Sequence, residues 1–237
     1  MSQFTAAGFS EAGRGKPNQD SFLIEELGEK TFILAIADGM GGKLGGDIAS
    51  KIAMETLSKE VKLSNFSIPS IFSKVKTALD SKAAQSHELQ EMGTTLTVAI
   101  IQNNIVSLGH VGDTRLYHLR NSGIVARTAD QTEVQKLIDD GILSKQRAKS
   151  YNRRNILLSV LTPRQDFTLQ ESHFELQKND RLLLLTDGAY SLASKIELRD
   201  LSLKNNELLD YLNEIRNLIE SKKIHDDYSV VTFQINN

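Results

Sequence analysis

The sequence predicts an α+β fold in which antiparallel β-sheets pack together with helices outside them. Three observations carry that expectation. β-rich runs arrive in hairpin-spaced groups and not in strict alternation with helices. Amphipathic helical segments are inserted between those groups. Several runs are almost continuously apolar, which suits strands buried in a packed interior.

The elements follow in order along the chain. Phe4 to Phe9, Phe22 to Leu27 and Thr31 to Ala37 read as strands, the third a buried one that stops abruptly at Asp38-Gly39. Ile48, Ala49, Ile52, Ala53 and Leu57 recur at helical spacing, and so do Ile71, Phe72, Val75, Ala78 and Leu79. From Gly93, the runs Thr95 to Ile101, Ile105 to Val111 and Arg115 to Leu119 predict an antiparallel meander, with turns at Asn103-Asn104 and Gly112-Asp113. A helix over Thr132 to Asp140 ends at Asp140-Gly141. Gln146 to Asn155 is polar and basic, so the stretch 142–160 is expected to form a surface flap. Leu182 to Leu185 is a buried strand ending at Asp187-Gly188, Leu208 to Ile219 a helix, and Tyr228 to Ile235 a closing strand. His110, His118 and His173 fall in strand-like stretches, where histidine is more often structural than catalytic.

At 237 residues, one domain over 1–237 is the expectation; such a core buries roughly three quarters of the unfolded surface. Apolar residues at 40% and charged residues at 24% exclude a disordered or fibrous chain. A net charge of -2 and the lack of a basic block argue against nucleic acid as a partner. No signal-like N-terminus or membrane-length apolar run occurs, so no membrane attachment is expected. The absence of cysteine removes disulfides, zinc-thiolate sites and thiolate nucleophiles, and fits a reducing cytoplasm.

Aspartates stand at strand boundaries: Asp38 and Asp187 directly after apolar runs, Asp226 just before one, and Asp20 leading another. Strand ends on a rigid scaffold can gather carboxylates that are distant in sequence. Such a set suits magnesium or manganese, and no continuous calcium loop is present. A single Asp-Gly pair is equally well read as a turn. Two carboxylates ~4 Å apart repel by about 4 kcal/mol at an effective dielectric of 20, so convergent aspartates imply bound cations and dispersed ones imply turns.

Six segments occur in a set order: Asn18-Gln19-Asp20, Asp38-Gly39-Met40-Gly41-Gly42, Gly93-Thr94-Thr95, Gly112-Asp113-Thr114-Arg115, Thr186-Asp187-Gly188 and Asp226-Asp227-Tyr228-Ser229. Together they closely resemble the type 2C metal-dependent serine/threonine protein phosphatases. Met40 and the run Gly45 to Ser50 give the resemblance a bacterial pattern, and it extends from about Gly13 to Val231. It implies an αββα β-sandwich, two antiparallel sheets flanked by helices, with two Mn2+ or Mg2+ ions in a cleft at one edge. It also implies hydrolysis of phosphoserine and phosphothreonine in proteins by a water between the metals, without a phosphoenzyme. The implied partners are phosphorylated protein substrates of a serine/threonine kinase.

By the same resemblance Asp38 would bridge both cations, the Gly39 carbonyl would hold one, Asp187 and Asp226 would ligate the other, and Asp20 would act through water. Asp113, with Asp187, would hold a third, weaker cation; as a residue after Gly112 it is equally well a turn residue. Arg14 and Lys16 straddle the position of the family's phosphate-binding arginine. Arg14 is the choice because its forked guanidinium grips phosphate oxygens in pairs; the plain alternative is a solvated loop. Gln19 replaces an acidic residue of some relatives, Lys43 stands where many bacterial members have histidine, and Met40 cannot protonate a leaving group. The Gln19 and arginine departures motivate a competing expectation, an inactive pseudophosphatase that binds phosphoproteins. The basic flap is the segment expected to influence substrate choice.

Overall fold

The computed structural model describes residues 4–13, 15, 17–28, 30–40, 45–63 and 66–236. Its first half comprises β1 (Phe4–Glu11), β2 (Asp20–Glu26), β3 (Thr31–Met40), α1 (Gly46–Glu60), α2 (Ile68–Ala83), β4 (Gly93–Thr94), β5 (Leu96–Gln102), β6 (Ile105–Val111), β7 (Arg115–Arg120) and β8 (Gly123–Ala126). The second half adds α3 (Glu133–Asp139), α4 (Lys145–Ala148), β9 (Gln170–Glu175), β10 (Arg181–Leu185), α5 (Asp187–Leu192), α6 (Lys195–Lys204), α7 (Leu208–Glu220) and β11 (Tyr228–Ile235). One antiparallel sheet runs β1-β11-β10-β7-β8, and the other runs β2-β3-β5-β6-β9 with β4 paired to β3.

The continuous apolar run of β3 follows from its place between two cores. Ile33, Ala35 and Ala37 face Leu57, Ile71 and Phe72 of α1 and α2. Leu34 and Ile36, on the opposite face, pack against Leu182, Leu184 and Phe233 of the second sheet. Successive strand side chains point to opposite faces, so a strand buried on both cannot alternate in polarity. A third core joins Leu183, Leu185 and Val230 to Tyr211, Ile215 and Ile219 of α7. The result is the four-layer αββα sandwich, with no helix among the described residues long and apolar enough to cross a membrane.

Two local expectations are corrected. β3 does not stop at Asp38-Gly39 but continues to Met40 and pairs with β4 there. The predicted meander is broken: β6 pairs with β5 and β9, whereas β7 pairs with β10 and β8 in the other sheet. Gly112-Asp113 is therefore a crossing between sheets, made at a glycine with φ 109°. Apolar pattern cannot tell these outcomes apart, because β5, β6 and β7 are each buried for most of their length.

The stretch 142–160 carries the short α4, whose N-cap Ser144 hydroxyl accepts from the Arg147 N–H. Glu133 of α3 ties it back, accepting from the Tyr151 hydroxyl at 2.6 Å and from the Arg153 guanidinium at 2.7 and 3.0 Å. An isolated bridge between Thr132 and Leu157 closes its base.

Candidate metal centre

Each candidate aspartate is placed by a rigid element. Asp20 and Asp38 sit opposite each other in the β2–β3 pairing. Asp187 opens α5 directly after β10, Asp226 precedes β11, and Asp113 lies on the crossing from β6 to β7. β10 and β11 are neighbours in one sheet and β3 lies in the other, and across the ends of these strands the Asp38 carboxyl feels those of Asp20, Asp187, Asp113 and Asp226.

The backbone around Asp38 is clamped. Its N–H donates to the Thr95 hydroxyl at 2.8 Å, and its carbonyl accepts from the Thr95 N–H at 2.9 Å and the Thr94 hydroxyl at 3.0 Å. Gly39 is required by space, not by a turn: a Cβ there would lie 2.1 Å from the Gly46 carbonyl oxygen and 2.6 Å from that of Gln19. Gly188 is in the same position, with a Cβ 2.0 Å from the Asp227 carbonyl oxygen. Neither Asp-Gly pair is a turn, which removes the simplest explanation for them.

Asp20 is held by two hydroxyls: Thr186 Oγ1 donates to its Oδ2 at 2.8 Å and Ser229 Oγ at 2.7 Å. Asp226 and Asp227 take different tasks. Asp227 is buried and accepts from the N–H groups of Gly13 at 2.6 Å and Gln19 at 2.8 Å, so its two oxygens hold two points of the connection between β1 and β2. Asp226 is exposed and lines a cleft of about 550 Å³ together with Asp113 and Asp187. Gln19 acts through its backbone, its carbonyl accepting from the Gly39 N–H at 3.2 Å and the Ser50 hydroxyl at 2.6 Å.

The electrostatics are those of acids crowded away from water. Burial pushes the Asp20 carboxyl up to about 7, with the Asp227 and Asp187 carboxylates adding to the shift and the Ser229 and Thr186 hydroxyls opposing it. Asp113 is pushed up to about 7, again mainly by burial and then by Asp187. Asp187 rises to about 6, through burial and then Asp226, although the Gly188 N–H and the Asp38 carboxyl hydrogen-bond to it. Asp38 is held well above the carboxylate range by burial first, then by Asp20, Asp187, Asp113 and Asp226. Like charges this close cannot all ionise unless positive charge joins them.

Among the described residues no three acidic or histidine side chains stand as a ready-made ligand set. Asp113, Asp187 and Asp226 share a cleft, and Asp38 shares a field with them and with Asp20. Their chemistry, carboxylate and carbonyl oxygen without sulfur or imidazole, fits hard divalent cations such as Mg2+ or Mn2+.

Arg14 lies outside the described residues, as do Lys16, Gly41, Gly42 and Lys43. Motif reading passed over Thr186 and Ser229 and gave Asp227 no role beside Asp226, although each sits within a quoted motif. The available signal was a hydroxyl or a second acid beside an apolar strand, where burial demands a polar partner. His110 and His118 serve the interior: His110 Nδ1 meets the Thr97 hydroxyl at 2.8 Å, and His118 Nε2 lies 2.8 Å from Asp180.

Residues 7–227 match the family model described as protein phosphatase 2C. A serine/threonine phosphatase stp of Listeria innocua is 32% identical over 201 residues, 81% of this chain and 79% of the relative. The crystal structure of the serine/threonine phosphatase PstP/Ppp of Mycobacterium tuberculosis superposes with a TM-score of 0.87 at 27% identity, covering 99% of both chains. The catalytic domain of PstP in complex with two manganese ions superposes with a TM-score of 0.83 at 26% identity, again over 99% of both chains.

Proposed function

This chain belongs to the protein phosphatase 2C family, and from that premise we propose that the aspartate edge is where it binds its cations and hydrolyses phosphoserine and phosphothreonine. The reaction itself is metal-dependent and passes through no phosphoenzyme. The observation that supports this siting is the mutual field of Asp20, Asp38, Asp113 and Asp187, all raised by burial at one edge of the sandwich.

In this reading Asp38 would serve both ions, the Gly39 carbonyl would assist one, and Asp187 and Asp226 would hold the other. Asp20 acts through water, and Asp113 with Asp187 offers a third position. Mn2+ or Mg2+, when bound, supplies Lewis acidity that makes hydroxide available near neutral pH and offsets phosphate charge. The protein's own task is placement. The Thr94–Thr95 clamp fixes the root of Asp38, and the Thr186 and Ser229 hydroxyls occupy one Asp20 oxygen and leave the other to orient water. Arg14 is the proposed phosphate clamp, and phosphorylated proteins made by a serine/threonine kinase are the proposed substrates.

Asp38→Asn is the direct test. Titration calorimetry should show at least one Mn2+ site lost, and turnover of a phosphothreonine peptide should fall on the order of a thousandfold, the scale of removing a principal electrostatic element. Unchanged manganese binding and rate would place the metal centre elsewhere.

A further inference from the structure

The cleft that contains Asp113, Asp187 and Asp226 is lined by cations as well. Lys145, Lys149 and Arg154 reach it from the stretch 142–160, and Lys223 reaches it from the loop between α7 and β11. All four are exposed, whereas Asp113 is buried and Asp187 half-buried, so the cations form the mouth and these acids the floor. None of the four makes an ion pair with a carboxylate among the described residues, although neighbouring cations do: Arg153 pairs with Glu133, Lys222 with Glu197 and Arg115 with Asp130. Lys195 stands close enough to Arg115 and Lys145 to feel both, along with the Asp130 carboxylate. A volume of about 550 Å³ exceeds what one phosphate needs.

Resting on the siting of hydrolysis above, we propose that Lys145, Lys149, Arg154 and Lys223 form an anion-recognition rim that selects phosphorylated segments carrying a second anionic group close to the phosphoester. Carboxylate side chains and a second phosphate share the chemistry the rim recognises. Two separate chain segments supply the cations, so the surface is made by tertiary folding and not by one basic run.

The test uses three phosphothreonine peptides of equal length: one with neutral flanks, one with glutamates nearby, and one with a second phosphothreonine. Each is measured for turnover with Mn2+ and, by fluorescence anisotropy, for binding. The wild-type protein should favour an anionic peptide over the neutral one by about tenfold in both readouts, what two or three exposed charge contacts supply together, and the preference should shrink as salt rises. In the triple variant Lys149→Ser, Arg154→Ser, Lys223→Ser the ratio should fall to about one; being internal to each protein, it is insensitive to the folded fraction. Enhancement by glutamate and second phosphate alike makes the rim a general anion site; enhancement by the phosphate alone assigns it to multiply phosphorylated segments. A ratio below about twofold in the wild type, or one that survives in the triple variant, overturns the proposal. If no peptide is hydrolysed yet the anionic ones bind more tightly, the siting of catalysis fails while the rim stands.

Discussion

At the scale of the residue, neighbouring side chains of one chemical type are given opposite work by their surroundings. Asp226 and Asp227 are adjacent and identical, but the Gly13 and Gln19 N–H groups satisfy Asp227, and Asp226 faces the cleft. His110 shows what the interior does to a titratable group without a partner charge close by. Burial pushes its imidazole down to about 4 from an ordinary 6.5, against the weaker pull of the Asp130 carboxylate. The folded protein therefore binds fewer protons than the unfolded chain between those values. Stability contributed by neutral His110 is complete above about pH 6.5 and is lost as pH falls toward 4, a span worth roughly 3 kcal/mol. Because the raised carboxyls of Asp20, Asp113 and Asp187 act with opposite sign over the same range, the loss is read as a difference: in urea unfolding the stability of the wild-type protein relative to His110→Asn, which retains a hydrogen-bonding group toward Thr97, should fall between pH 7 and pH 5. Equal slopes in both proteins would assign the acid sensitivity to other groups.

At the scale of the element, two short connections decide the geometry of the site. The β6–β7 crossing at Gly112 moves the chain from one sheet to the other and leaves Asp113 at the sandwich edge, and a Cβ at Gly112 would lie 2.5 Å from Thr95 Cγ2. The stretch 142–160 is held by a side-chain strap, Glu133 accepting from Tyr151 and Arg153, and at its base by the Thr132–Leu157 bridge. Few apolar contacts back it, as α3 and α4 contribute no buried residue. Glu133→Ala should free this stretch while leaving the sandwich intact. Limited trypsin digestion is then expected to cut between Arg147 and Arg154 severalfold faster than in the wild type, with no change in far-UV circular dichroism. An unchanged cleavage rate would show that the Thr132–Leu157 bridge suffices as an anchor.

At the scale of the whole molecule, metal binding and folding are linked through the crowded aspartates. Cations that bind only the folded protein stabilise it by about 2.7 kcal/mol at a hundred times their dissociation constant. For a chain of this length, Mn2+ added to chelated protein should raise the melting temperature by roughly 5–10 °C, and the rise should largely disappear in Asp38→Asn. A wild-type melting curve indifferent to Mn2+ would contradict the linkage.

Much of this fold is legible in local pattern. The strand from Tyr228 to Ile235 has the expected bounds, the helices around Leu57, Val75 and Ile215 announce themselves by spacing, and Asn103-Asn104 marks its hairpin with two left-handed residues. The weakly patterned β8, largely exposed, and α6 do not stand out by apolar spacing, although the Ser194–Glu197 capping box is a readable signal for α6. The motifs around Asp20, Asp38, Asp113, Asp187 and Asp226 are likewise visible as strand-boundary acids in a family order.

The sequence by itself determined most of the strongly patterned strands and helices, which aspartates are candidates, and which family they resemble, because periodicity and motif are properties of neighbours along the chain. Only the tertiary structure decided that β6 and β7 belong to different sheets, that Gly39 and Gly188 are demanded by close backbone approach, that Asp227 serves a loop, and that Lys223 joins the cations of 142–160 at one cleft. These depend on contacts between residues far apart in the chain. Burial on both faces erases the pattern that would have assigned strands to sheets, and the direction of an exposed side chain leaves no periodic trace.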